Sequence, residues 1–371
     1  MVGRRRIPVA APALVGRERE YVLDCLDSTW ISSNGEYLER FESAFAEFCG
    51  VRHAVSCCNG TVAVHLALLA HGVGPGDEVI VPTLTYVATA NPVTYCGAKP
   101  VFVDAEPRTW NMDPERVLGA ITPRTRGIIV VHLYGHPVDM DPILEYAELH
   151  GLWVIEDAAE AHGATYKQRV VGSIGSMATF SFYGNKIITS GEGGMVVCDD
   201  ERLAQLVRQL HGQGQDPHRR YWFPMVGFNY RMTNIEAAIG LAQLEKIDWH
   251  LARRREIAGW YRDELGGEEG IQLSPQEPWA ESAHWIACAV LDEERFGPRD
   301  ELMVALDCAG IETRPFFYPL HTLPMYSGEN QGKEFPVAED LARRGVNLPS
   351  SATLEREEVA HVCEQLRALT R

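Results

Sequence analysis

The sequence predicts an α/β protein: a mostly parallel, seven-stranded sheet flanked by helices, then a smaller C-terminal α/β unit. Three observations lead there. Seven short apolar runs, rich in β-branched and aromatic residues, recur through the first two hundred residues. Helical stretches separate several of them. A long helical pattern then closes this series, and the composition changes beyond it. Strands buried on both faces read as continuous apolar runs, and alternation with helices implies a layered sheet.

The elements follow in order. Arg17 to Cys49 reads as helix, turn, helix. Glu18, Tyr21, Val22, Cys25 and Leu26 share one face, and Phe41, Ala44, Phe45 and Phe48 share another. Trp30 to Gly35 is the turn between them. The strand runs are Ala54–Cys57, Glu78–Val81, Pro100–Val103, Gly127–Val131, Leu152–Ile155, Ala178–Phe182 and Met195–Cys198. Thr61–Ala70 and Asp141–His150 are helical. A glycine-rich loop joins the last two runs, so that part of the sheet is not expected to be purely parallel. From Thr233 to about Leu265 the pattern predicts one long helix, with Thr233 and Glu236 forming a capping box. Gly266–Gly270 and Ser274–Pro278 are loop-like. The expected division is an N-terminal arm and large unit, 1–245, and a small unit, 246–371. No internal repeat or low-complexity segment interrupts this order.

Composition excludes several classes. Among 371 residues, 34 Lys and Arg face 51 Asp and Glu, a net charge of −17. Such a chain repels nucleic acid, and the short run Arg4, Arg5, Arg6 reads as a solvated arm. No apolar run approaches the roughly 20 residues that span a bilayer. No apolar stretch follows the basic start, so a secretory signal is not expected. Nine cysteines, an odd number with no CxxC, fit a reducing cytoplasm.

Chemistry is concentrated in three places. Lys186 is one of five lysines. It follows Thr179-Phe180-Ser181-Phe182 and precedes Ile187-Ile188. Such a lysine is at least partly buried, which costs several kcal/mol unless it is paired, neutralised or covalently used. The alternative is a lysine that snorkels or pairs with a carboxylate. Asp157 ends the buried-looking stretch Leu152-Trp153-Val154-Ile155-Glu156-Asp157, at the edge where open α/β sheets bind ligands. The alternative is an N-cap for a helix over Ala158–Ala161. Finally, Ala54–Cys57 runs through Cys58-Asn59 into Gly60-Thr61 at a helix N-terminus, where amides and dipole favour a phosphate. Ordinary capping by Asn59 or Thr61 is the alternative. The G-K-[ST] ending of a P-loop is missing. Gly72-x-Gly74-x-Gly76 precedes a strand, so it is turn chemistry and no dinucleotide fingerprint. His132, His136, Asp139 and Asp141 lack regular ligand geometry, and no metal site is expected. His162 reads as a packed core histidine.

A buried lysine, a strand-end carboxylate and a phosphate-binding helix end in one sheet form the set that pyridoxal 5′-phosphate (PLP) requires. Several motifs carry a family resemblance: Asn59-Gly60-Thr61, Gly76-Asp77-Glu78-Val79-Ile80-Val81-Pro82, Glu156-Asp157-Ala158-Ala159-Glu160-Ala161, Ser181-Phe182-Tyr183-Gly184-Asn185-Lys186 and Gly191-Glu192-Gly193-Gly194. In order and spacing the chain resembles the fold-type I PLP-dependent nucleotide-sugar aminotransferases. The resemblance extends to His132-Leu133-Tyr134-Gly135 and to Gly227-Phe228-Asn229-Tyr230-Arg231.

The resemblance implies roles. Lys186 forms the Schiff base with the cofactor, and Asp157 holds its pyridine nitrogen. Tyr86 stacks on the ring, while Gly60, Thr61 and Ser181 hold the phosphate. Glu160 sits near the phenolic oxygen. Asn229 reaches the phosphate of a partner subunit, making a homodimer with shared sites. Arg314, Tyr318 and His321 lie in a segment that closes over the sugar, although Tyr318 stands where the family has a histidine. The implied reaction moves an amino group from L-glutamate to C4 of a nucleotide-linked 4-keto-6-deoxy sugar, GDP-4-keto-6-deoxymannose. Other readings are a dTDP- or UDP-linked acceptor, a 3-dehydratase, and a non-catalytic scaffold of the same fold. Lys186 argues against the dehydratase, which has histidine there, and the intact Lys186, Asp157 and Ser181 argue against the scaffold.

Overall fold

The computed structural model describes residues 6–370, so Arg4 and Arg5 lie outside it. The strands are β1 (His53–Cys57), β2 (Glu78–Pro82), β3 (Lys99–Val103), β4 (Thr125–Val131), β5 (Trp153–Asp157), β6 (Thr165–Tyr166), β7 (Arg169–Val170), β8 (Met177–Ser181), β9 (Gly194–Cys198), β10 (Ile271–Leu273), β11 (Ala280–Glu281), β12 (Ala287–Leu291), β13 (Arg314–Pro315) and β14 (Gly345–Leu348). All seven apolar runs become strands of one sheet, ordered β1-β9-β8-β5-β4-β2-β3. Pairing is parallel from β3 through to β8. Only β9 runs against its neighbours β8 and β1. β2, β8 and β9 are buried along their whole length, as runs without polar alternation demand.

β10, β12, β14 and β13 form a second, antiparallel sheet. It packs with Ile257, Tyr261, Leu306 and Val362 into a separate core. Ile7 belongs to that core too: it pairs with Ile311, and its carbonyl accepts from the Glu312 amide at 2.9 Å. The described arm therefore touches both cores, the small one at Ile7 and the large one at Val9. β6, β7 and β11 make a short three-stranded sheet.

Two expectations are corrected. The long helix is two helices, Asn234–Leu244 and Ile247–Leu265, because Lys246 leaves helical geometry at φ −113°, ψ 14°. The Thr233–Glu236 capping box does form. Ala237, Leu241 and Ala242 bury into the large core, whereas Ile257, Tyr261 and Leu265 bury into the small one. The interruption falls between these two allegiances. Nor does a helix follow β5: residues 158–161 are irregular, so Asp157 caps none. Among the described residues, no helix is long and apolar enough to cross a membrane, and no His, Cys, Asp and Glu cluster could hold a metal. His132 instead meets Glu156 at 3.1 Å, and His162 packs among Phe45, Phe180 and Phe182.

Candidate active site

The carboxyl ends of β5 and β8 and the helix after β1 open onto one cavity of about 560 Å³. From the large sheet's side it is lined by Gly60, Thr61, Tyr86, Asp157, Glu160, Ser181 and Lys186. Arg314 lines it from the second sheet. The structure leaves three candidates outside. Asn229 is exposed, its side-chain oxygen accepting from Arg231 at 3.2 Å. Tyr318 is exposed in a separate groove. His321 is buried, with Nδ1 2.7 Å from Thr83 Oγ1, Nε2 3.1 Å from Glu339, and its ring stacked on Phe335. It holds the strap at residues 320–335 onto the end of β2 and does not face the cavity.

The groups inside are held closely. The helix Gly60–Ala70 starts at the cavity, with Asn59 accepting from the Val62 amide at 3.0 Å. A Cβ on Gly60 would stand 2.8 Å from Ser181 Cβ, so only glycine lets this turn approach β8. Asp157 Oδ2 accepts from Thr89 Oγ1 at 2.8 Å, and Thr89 in turn meets Thr85 at 3.2 Å. Burial pushes Asp157 above the usual carboxyl range, against the Thr89 hydrogen bond and the Lys186 charge. Burial likewise pulls the Lys186 ammonium down, against Glu160 and Asp157. The Lys186 side chain is 12% exposed; Nζ is 3.8 Å from Glu160 Oε1 and 4.0 Å from the centre of the Trp285 ring. Trp285 Nε1 donates to the Asn185 carbonyl at 2.7 Å, fixing the indole over the lysine. Glu160 Oε2 accepts from the Tyr134 amide at 2.7 Å.

This donor set fits PLP. A carboxyl raised by burial at a cavity wall matches a pyridinium nitrogen, whose charge would hold it ionised. A glycine turn at a helix start, beside a serine, suits a phosphate. A lysine with a lowered pKa suits covalent attachment. Asn185 Oδ1 is buried without a hydrogen-bond partner among the described residues, which leaves an acceptor available at the cavity wall.

One comparison decides the class. A family model for the DegT/DnrJ/EryC1/StrS aminotransferases matches residues 12–367. The chain belongs to this family. A GDP-perosamine synthase of Caulobacter vibrioides is 54% identical over 363 residues, covering 97% of each chain. Another, from Escherichia coli O157:H7, is 50% identical over 362 residues with the same coverage. Among solved structures, DesV of S. venezuelae in complex with a ketimine intermediate superposes with a TM-score of 0.91, at 38% identity and 98% coverage of both chains. This DegT-family chain is therefore a PLP-dependent aminotransferase.

Sequence reasoning missed Thr89, Asn185, Trp285, Phe317 and Asn347, all of which line the cavity. Asn185 could have been found, since it immediately precedes Lys186. Thr89 lies three residues beyond Tyr86 with no signal of its own. Trp285, Phe317 and Asn347 lie far beyond Lys186 in sequence, and no spacing links them to it.

Proposed function

We propose that the chain transfers the amino group of L-glutamate to C4 of GDP-4-keto-6-deoxymannose, giving GDP-perosamine. The observation that carries the substrate is the near-full-length likeness to two GDP-perosamine synthases. The cavity supplies the chemistry. PLP, when bound, provides the electron sink through which an amino group leaves one carbon and joins another. Lys186 would hold the cofactor covalently at rest; once released, its Nζ would take the proton from the α-carbon of glutamate and later give one to C4 of the sugar. Asp157, oriented by Thr89, would hold the ring nitrogen. Gly60, Thr61 and Ser181 would hold the phosphate, Tyr86 would cover the ring, and Glu160 would serve the phenolic oxygen. Arg314 meets an anionic substrate at the cavity mouth. We read residues 1–245 as the cofactor-binding unit with its arm, and 246–371 as the unit that closes the substrate side.

The test is incubation with L-glutamate and a panel of GDP-, dTDP- and UDP-4-keto-6-deoxy sugars, with products read by mass and NMR. The expected product is the GDP-linked 4-amino sugar. Faster amination of a dTDP or UDP sugar would overturn the assignment.

The site is shared across a homodimer in this reading. Support comes from Asn229, which lies outside its own chain's cavity in a segment with exposed Tyr221, Trp222, Phe223 and Val226. Lys186→Ala and Asn229→Asp should each be inactive, the second because a carboxylate opposes the phosphate dianion. Mixed dimers carry one doubly damaged site and one intact site. Co-refolding the two should restore up to roughly a quarter of wild-type activity. No recovery despite proven subunit exchange would mean that both residues serve one chain's site.

A further inference from the structure

Tyr134 has φ 53° and ψ 17°, a left-handed conformation that a bulky residue seldom adopts. Gly135 is also left-handed, at φ 97°, and a Cβ there would stand 2.9 Å from the Trp285 amide nitrogen. The turn is thus pressed against the segment that carries Trp285. Tyr134 is 4% exposed and does not line the cavity, yet it touches what does. Its ring stacks on Phe317 at 5.4 Å and on Trp285 at 6.3 Å. Its hydroxyl accepts from the Phe317 amide at 3.3 Å. Its own amide donates to Glu160 Oε2 at 2.7 Å.

We propose that Tyr134 is a positioning residue for the acid–base pair: its left-handed backbone aims one N–H at Glu160 Oε2, so the exchangeable proton of Glu160 sits on Oε1, the oxygen facing Lys186 Nζ. The inference rests on the aminotransferase reading and goes beyond it. An oxygen that accepts a short N–H bond takes the carbonyl role in a protonated carboxyl, because that oxygen is the better acceptor. The hydroxyl proton is left to Oε1, 3.8 Å from Nζ. Glu160 then gives a proton to, or takes one from, the lysine nitrogen without reorienting. The stacked ring holds the backbone in a conformation it would otherwise leave. The groups that face Glu160 are Lys186, Asp157, the neutral Tyr134 hydroxyl and the Cys288 thiol, whose own ionisation burial suppresses. Burial, opposed by Lys186 and the Tyr134 amide, pushes Glu160 up to about 7, so its proton exchanges near neutrality.

The experiment is an absorbance titration of the lysine-bound cofactor in the holoenzyme against pH. Glu160→Gln removes a negative charge beside the lysine nitrogen, so the midpoint should fall by about one pH unit. Tyr134→Gly frees the backbone and weakens the carboxylate's hydrogen bond; it should shift the midpoint the same way. In the Glu160→Gln background it should add nothing, since both act through one group. Tyr134→Phe keeps the ring and should keep the midpoint. Tyr134→Leu, which fills the space without stacking, stands in if the glycine variant fails to hold cofactor. An unmoved midpoint in both Tyr134→Gly and Tyr134→Leu, or a shift that persists without Glu160, overturns the proposal. If the wild type shows no titrating band that Lys186→Ala abolishes, the role of Lys186 has failed first and takes this inference with it.

Discussion

The cavity has two unlike walls. The wall from the large sheet carries Asp157, Glu160 and Lys186, all withdrawn from solvent, with their ionisation displaced by burial. The wall from the C-terminal segments offers Trp285, Ile286, Pro315, Phe317 and Asn347, with Arg314 as its charged member among the described lining residues. Their anchoring differs as well. The first wall is fixed by parallel strand pairing and by glycine approaches such as Gly60 against Ser181. Arg314 rides on β13, a two-residue strand, and is held by Glu312 at 3.1 Å. Displaced ionisation on a rigid frame suits bond-making, while a lone cation on a short strand suits recognition. Damage to the first wall should therefore appear in kcat, and damage to the second in KM.

The largest effect is expected from Lys186→Ala. Without the amine there is neither covalent attachment nor a proton carrier, so turnover should fall by at least about 10⁴-fold while the fold survives. Steady-state rates with circular dichroism as a fold control check this; activity within tenfold of wild type would remove Lys186 from the chemistry. Asp157→Asn follows. The amide cannot stabilise a pyridinium proton, and kcat should drop on the order of 10³-fold with the cofactor still bound. Near-normal kcat would mean that Asp157 only shapes the end of β5.

How much of this was legible in the sequence depends on where each residue's partners lie. All seven strands of the large sheet could be read because runs such as Val79-Ile80-Val81 and Ile128-Ile129-Val130-Val131 are short, continuous and β-branched, as strands buried on both faces are. Lys186 stood out because lysine is scarce here and its neighbours are apolar. The helix break at Lys246 was not legible, since the helical pattern runs on while the core it faces changes. Ala158-Ala159-Glu160-Ala161 reads as helix by propensity, but Glu160 is bound to the Tyr134 amide and the segment turns. His321 shares a motif with Arg314, yet a local likeness carries no information on Thr83 and Glu339, which hold it away from the cavity.

The second wall is probed by Arg314→Ala. A charge-assisted hydrogen bond to an anionic substrate is worth about 1.5–3 kcal/mol, so KM for one substrate should rise roughly 10- to 100-fold. The effect on kcat should stay within a few fold. Initial rates with each substrate varied in turn identify which anion Arg314 meets. A kcat loss comparable to that of Asp157→Asn would erase the distinction between the walls.

The smallest effect tests the joint between them. Asp104, just beyond β3, is buried and reaches across to the helix Pro336–Arg344: Oδ2 accepts from the Val337 amide at 3.1 Å and Oδ1 from the Ala338 amide at 2.9 Å. It caps that helix from a strand end far away in sequence, in the place a local N-cap would take, since Phe335 offers no side-chain cap, and the helix packs through Ala338, Leu341 and Ala342 onto the large core. Asp104→Ala strips the Val337 and Ala338 amides, and that of Ala105, of their acceptor, which costs roughly 1–2 kcal/mol. For a chain of this size, that lowers the thermal midpoint by about 1–3 °C at a fixed scan rate. None of the groups on the first wall touches Asp104, so kcat should hold within twofold while KM drifts upward as the second wall loosens. Calorimetry and steady-state kinetics on the same preparation check both parts. A tenfold fall in kcat with an unchanged midpoint would show that the joint transmits to the chemistry, and that the walls work as one unit.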